Sequence, residues 1–232
     1  MGELHRRLTL LSPQLGLFDA VAFGARKGSG KLAGIVEPFV TGRVFAYHNP
    51  AKDQYKIQDV KVTDYHEFLR ENIVDLYTAS FFAEIVLKSF GSGGDHEETY
   101  VLLTELLDGI EAHKDHNHII IQGCWRFLEL FGIAPDLYYC ASCGKPFHTL
   151  TSRIHPQGNE LLCEHCLPAS STEYVIDYAG RRYLSYTQSL SVEKALQVSL
   201  TKSSARILKN VLLHYMDGIT DGRLKTTKSG MI

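Results

Sequence analysis

Four of the five cysteines fall in two matched pairs, "CASC" (Cys140, Cys143) and "CEHC" (Cys163, Cys166), with nineteen residues between the pairs. Two thiolates separated by two residues can face one ion, and two such pairs at this distance make a tetrahedral zinc site. With Cys in all four positions the site is closed and structural, because no coordination position is open for a catalytic water. Its work is to fold a segment too short for a core of its own. Between the pairs, "FHTLTSRIHPQGNELL" reads as two short strands around a Pro-Gln-Gly-Asn turn. That makes a ribbon, inserted at 138–168, clipped at its base by the metal. Three other readings compete. Two disulfides need an oxidising compartment, a redox pair needs a βαβ setting that this sequence lacks, and the cysteines can also be metal-free. His148, His155 and His165 lie close by, and beside four thiolates they read as surface residues. Cys124, next to Trp125, reads as a buried core thiol.

The second stretch with chemical character is "GARKGSGK", residues 24–31. It looks like a phosphate-cradling Walker A loop, G-x-x-x-x-G-K-[ST], but fails on two positions. Ala25 stands where the first glycine belongs, and Leu32 stands where the magnesium-binding Ser or Thr belongs. Gly34 and Pro38 also interrupt the helix that should follow. What remains is a basic, glycine-rich loop carrying Arg26, Lys27 and Lys31, suited to nucleic-acid phosphates; a solvated turn is the plainer alternative. Hydrolase, zinc-protease and zinc-deaminase signatures are missing, and no enzymatic activity is expected.

The elements that must carry these residues change character along the chain. Residues 8–63 read as strands: "LTLL" (8–11), "LGLFDAVAFG" (15–24), "GIVEPFVTGRVFAYHN" (34–49) and "YKIQDVKVTD" (55–64), separated by turn signals at Ser12-Pro13, Gly28–Gly30 and Asn49-Pro50. The alternation in the last run is imperfect, and a bulge near Asp59 would repair it. Several short strands in so few residues suggest a small barrel. Helices follow. One runs from an Asn72 cap to about Lys88 with Val74, Tyr77, Phe81 and Ile85 on one stripe. A second covers about 97–112, with Leu102, Leu103, Leu106 and Ile110 inward. A third covers about 116–131, with Ile121, Trp125 and Leu128 in register, Gly132 as its C′ residue and Pro135 beyond. Short helices are expected at 190–198 and 203–217, and the polar tail "DGRLKTTKSGMI" reads as mobile.

The apolar fraction of 44% suffices for a core in one or two domains. No apolar run is long enough to span a membrane, and "MGELHRRLTL" has no apolar signal region, so a cytoplasmic protein is expected. The net charge of −2 conceals segregation. Residues 1–45 carry six bases against three acids, residues 181–232 nine against three, and residues 46–180 nine against twenty. Two basic surfaces around an acidic centre fit a polyanionic partner.

Three segments together resemble a known family: "GARKGSGKLAGIVEPF" in the N-terminal hairpin, "WRFLELFGIAPDLYYCASCG" (125–144), where a helix joins the first cysteine pair, and "ILKNVLLHYMDGITDGRLKTTKSGMI" at the end. They are similar to the bacterial DNA repair proteins of the RecO family, over nearly the whole chain. The resemblance implies an α+β architecture. An N-terminal OB-fold β-barrel (1–64) precedes a helical domain (65–232) that carries the zinc ribbon. The family opens with one more strand before "GELHRRLTLL", so a barrel lacking its first strand is expected here. The resemblance also implies a recombination mediator that is not an enzyme. Such a mediator binds single- and double-stranded DNA, anneals complementary strands, works with RecR, binds the acidic tail of single-strand-binding protein and assists RecA loading. The site residues expected for DNA are Arg26, Lys27 and Lys31, with Arg6, Arg7 and Arg43 beside them. Arg206, Lys209, Arg223 and Lys225 form a second basic surface, for a second strand or for an acidic protein tail. Phe45 and Tyr47 can stack bases, though the core is the favoured place for both. A zinc-ribbon adaptor that binds only proteins is the alternative; a metal-dependent nucleic-acid enzyme is a more distant one.

Overall fold

In the computed structural model, residues 4–27, 30–89, 96–112, 115–148, 151–155, 158, 160–167, 174–220 and 224–232 are described. The chain forms two compact units, Met1–Ile73 and Val74–Ile232. The architecture is α+β, a sheet first and helices after it.

The first unit is built on β1 (Arg6–Ser12), β2 (Gly16–Ala22), β3 (Thr41–Asn49) and β4 (Gln54–Asp64), ordered β1-β2-β4-β3. β1 and β2 form an antiparallel hairpin, β2 meets β4 in parallel, and β3 and β4 are antiparallel. Among the described residues β1 and β3 are the edges of this sheet. The bulge falls where the broken alternation put it. Phe45 pairs with Asp59 and Ala46 with Ile57, so Gln58 is the extra residue. One expectation fails: 34–40 is turn, not strand, and β3 starts only at Thr41. Gly34 and Phe39 have φ of +77° and +67°, which no strand allows. Val36 from this segment, with Leu32 just before it, is instead buried with Ala20, Ala22, Ala25 and Ile57, on the face of the sheet that Val44 and Val60 also line.

α1 (Phe68–Glu71) ends the first unit, and α2 (Ile73–Ser89), α3 (His96–Ala112) and α4 (His116–Leu130) follow in the second. α4 is capped by Asp115, whose side chain accepts from the Asn117 amide, and ends at Gly132, which has the left-handed φ of +68° expected of a C′ residue. Ile119 to Trp125, with Phe127 and Leu128, are all buried, so this helix is enclosed on every side rather than along one stripe. It packs on α3, on α6 (Val192–Leu196) and on α7 (Lys202–Ile219). Cys124 is fully buried, and that burial pushes its thiol pKa far up, as suits a core thiol.

Two elements were not legible. α5 (Tyr178–Thr187) is capped by Asp177, which accepts from the Gly180 amide. The tail reads as mobile in sequence but is docked. Leu224 is fully buried, and α8 (Lys225–Lys228) has its first amides, Lys225 and Thr226, bonded to the Glu84 carboxylate at 2.8 and 2.9 Å. A carboxylate supplied from α2 satisfies the orphan donors that a four-residue helix leaves at its start.

Candidate metal centre and nucleic-acid interface

The ribbon forms as the sequence predicts, with one strand more. β5 (Ser152–Ile154) and β6 (Leu161–Cys163) pair antiparallel, and β7 (Val175–Ile176) adds to the other side of β5. Residues 156, 157 and 159 of the expected turn lie outside the described residues. Ahead of β5 the first cysteine pair forms a tight knuckle. The Cys140 amide donates to the Lys145 carbonyl and the Gly144 amide to the Cys140 carbonyl, at 2.9 and 2.8 Å. Gly144 takes φ of +67°, which a residue with a side chain resists. The second pair repeats the device, with the Cys166 and Leu167 amides donating to the Cys163 carbonyl.

The two knuckles bring the Sγ atoms of Cys140, Cys143, Cys163 and Cys166 within 4.8 Å of one another. Cys143 and Cys163 sulfurs are 3.9 Å apart. A tetrahedron of thiolates around a zinc at about 2.3 Å has edges of about 3.8 Å, so the donor set fits such an ion. No histidine joins this group among the described residues. Burial acts to raise the Cys140 pKa, but amides of Cys143, Cys163 and Ser142 outweigh it and hold the thiol at about 6. At Cys166 the Ser142 hydroxyl acts downward, yet the neighbouring thiols of Cys143 and Cys163 carry it up to about 12. Four sulfurs this close repel as thiolates, and a divalent cation among them reverses that sign.

A buried arginine ties the ribbon to the helices. Arg181 on α5, only 4% exposed, donates to the Ser152 hydroxyl and to the carbonyls of His148 and Ile176, and lies 4.9 Å over the Phe147 ring. Nothing in the sequence marks it, because its partners are scattered from 148 to 176. Arg181→Met is expected to leave the His148 carbonyl without this donor, while the Ser152 hydroxyl still donates to the Ile176 carbonyl at 3.2 Å, and to lower stability by about 1–3 kcal/mol. Thermal melting would show the loss while the metal content per chain stays constant. Unchanged melting would mean that the arginine is dispensable.

The N-terminal cations divide into two groups. Arg6 is paired with Glu37 at 2.5 Å, Arg7 with Asp19 at 2.7 Å and Lys31 with Asp59 at 2.9 Å. Each carboxyl is held below its ordinary range. The cause is chiefly Arg6 for Glu37, the Thr9 hydroxyl and then Arg7 for Asp19, and Lys31 for Asp59. Arg26, Lys27 and Arg43 are exposed, and among the described residues no carboxylate pairs with them. The loop is pinned by hydrogen bonds from the Arg26 amide to the Leu4 carbonyl and from the Lys27 amide to the Gly24 carbonyl. No helix follows it, as the failed Walker A match requires.

The β3–β4 ladder adds residues that sequence reasoning missed or misplaced. Phe45 and Tyr47 are 39% and 53% exposed, not in the core. Lys61 lies 5.7 Å over the Phe45 ring and Lys56 4.9 Å over that of Phe23. In the second unit, Arg206 is exposed on α7 and Lys225 on α8, while Lys209 is half-buried and its pKa is lowered by that burial. Arg223 lies outside the described residues.

Comparison with known proteins follows the same division of the chain. The model of the recombination protein O N-terminal domain matches residues 1–66, and that of the C-terminal domain matches residues 70–228. The chain belongs to the RecO family. Relatives named DNA repair protein RecO include one from Syntrophotalea carbinolica, 29% identical over 75% of this chain and 67% of its own length. Another, from Oceanobacillus iheyensis, is 24% identical over 93% and 82%, and one from Roseiflexus is 25% identical over 95% and 77%. The RecO family is one of DNA repair and recombination, not a class of enzymes. Among the described residues of this RecO-family chain, no helix is long and apolar enough to cross a membrane.

Proposed function

We propose that this chain is a recombination mediator. It binds single- and double-stranded DNA, anneals complementary strands, and assists RecA loading onto strands covered by single-strand-binding protein. It works with RecR and engages the acidic tail of single-strand-binding protein, in the cytoplasm at the nucleoid. Residues 1–64 form the OB-type nucleic-acid-binding domain, and residues 65–232 the helical domain with its ribbon. The observation that carries this reading is membership of the RecO family over both parts of the chain, in order.

The residues support it. Arg26, Lys27 and Arg43 offer exposed charge to phosphates, and Arg6, Arg7 and Lys31 are held by carboxylates on the surface. Solvent-exposed pairs of this kind are worth about 0–1 kcal/mol, so a phosphate can take the carboxylate's place. Arg206, Lys209, Arg223 and Lys225 serve a second strand or an acidic tail. The four cysteines hold one zinc ion. A closed thiolate set favours zinc over hard cations and stabilises the ribbon without a chemical step.

A fluorescent single-stranded oligonucleotide titrated across a salt series, with its complement added afterwards, tests the reading. Salt-steep binding and accelerated annealing are expected. No binding at low salt would favour an adaptor that binds proteins alone.

A further inference from the structure

Beyond the basic loop, the outer face of the β3–β4 ladder has a composition that phosphate binding does not account for. Its register sets Arg43 opposite Lys61, Phe45 opposite Asp59 and Tyr47 opposite Lys56. Residues opposite one another in an antiparallel pair share a face. The other face carries Val44 with Val60 and Ala46 with Ile57, of which Val44, Val60 and Ile57 belong to the core. Arg43, Phe45 and Tyr47 therefore project outward together with Lys56 and Lys61. Phe23, at the end of β2, joins them beneath the Lys56 ammonium and is 43% exposed.

Three large rings in water are a liability unless something covers them. The charge around them says what. Arg43, Lys56 and Lys61 outnumber the two carboxylates of this face, Asp59, which is already paired with Lys31, and Asp64, which lies opposite Thr41 at the far end of the ladder. A surface of this sign takes a polyanion. Rings require in addition that the polyanion present flat apolar faces. A duplex keeps its base faces stacked inside, whereas a single strand can turn them out. Phe45 and Tyr47, two residues apart on one strand, stand roughly 7 Å from each other, room for one base on each ring.

We propose that the outer face of β3–β4 is a stacking track for single-stranded nucleic acid, with Phe45 and Tyr47 taking bases and Arg43, Lys56 and Lys61 taking the flanking phosphates. The track adjoins the loop at 24–31, whose Lys31 pairs with Asp59 of the same ladder, but is made of different residues. It rests on the nucleic-acid-binding reading above and goes further, because it makes the first unit selective for unpaired strands.

The test uses the full chain and two probes, oligothymidylate and a blunt duplex, each across a salt series. Phe45→Ala with Tyr47→Ala is expected to weaken oligothymidylate binding at least tenfold, since each stacked base lost costs roughly fivefold to a hundredfold. Its salt slope should stay unchanged, because no charge is removed, and duplex affinity should stay as in the parent. Phe45→Tyr with Tyr47→Phe should restore single-strand binding, which separates stacking from a structural role. Equal loss on both probes, or parental affinity of the alanine variant for oligothymidylate, overturns the track while leaving nucleic-acid binding intact. A parent protein that binds neither probe overturns that underlying reading, and the track with it. Binding of an acidic peptide on these rings in preference to oligothymidylate would also overturn it.

Discussion

Removing the metal from the four-cysteine site is expected to unfold the ribbon and release one zinc ion per chain, while the helices around α4 stay folded. The ribbon has little else to hold it. Among the described residues its own buried apolar side chains are few: Phe147, Ile154, Leu161, Leu162 and Leu167. Its longest strands have three residues each. A segment of that size cannot offset the entropy of ordering its backbone, which is about 1–2 kcal/mol per residue. A structural zinc supplies on the order of 10 kcal/mol of coupled binding and folding energy, by far the largest single contribution here. α4 depends on none of it, because α3, α6 and α7 cover it. Cys163→Ser removes a ligand whose residue also pairs with Ser152 in the β5–β6 ladder. Amide hydrogen exchange should therefore rise through residues 138–167 and hardly change in 116–130. A chromogenic chelator should find one zinc per parent chain and far less in the variant. A parent chain that carries no zinc under metal-replete conditions, with exchange in the ribbon unaffected by Cys163→Ser, would sink the assignment.

The parts of this site that were legible in sequence are those encoded over short distances. The two-residue spacer lets each cysteine pair face one ion, and two such pairs nineteen residues apart read as one site, so the quartet could be placed without a structure. The same holds for Gly132 behind α4 and for the bulge beside Asp59, where broken alternation can be repaired in few ways. What failed depends on distant partners. The sequence displays Arg6, Arg7 and Lys31 as bare charges, and only the fold brings Glu37, Asp19 and Asp59 against them. Phe45 and Tyr47 alternate with Val44 and Ala46, and period-two patterning says that two faces exist without saying which is the outer one. The tail reads as polar because its anchor, Glu84, lies 141 residues away from Lys225. α5 escaped notice because Gly180 in its first turn weakens a helical pattern that the Asp177 cap restores.

Those ion pairs decide the second large effect. Arg26→Ala with Lys27→Ala is expected to weaken DNA binding at least tenfold at low salt and to flatten its salt dependence. Each phosphate neutralised releases counterions worth roughly 0.9 of slope on a duplex and 0.7 on a single strand, so two lost contacts remove about 1.5. Adding Lys31→Ala to the pair would remove about one contact more, if Lys31 were a bare charge. It is not: Asp59 already sits 2.9 Å from its ammonium, so the triple variant should fall short of a change of three. Asp59→Asn separates the two cases. Freed of its carboxylate, Lys31 becomes a full phosphate contact, and both affinity and slope should increase relative to the parent. Weaker binding by Asp59→Asn would mean that the pair positions the loop instead of competing with the phosphate. An unchanged slope in the Arg26, Lys27 double variant would take the loop out of the interface altogether, leaving the β3–β4 face and the cations of α7 and α8 to carry the charge. The expected outcomes would make the carboxylates of Asp59, Asp19 and Glu37 a hold on part of the first unit's positive charge, released when phosphates displace them.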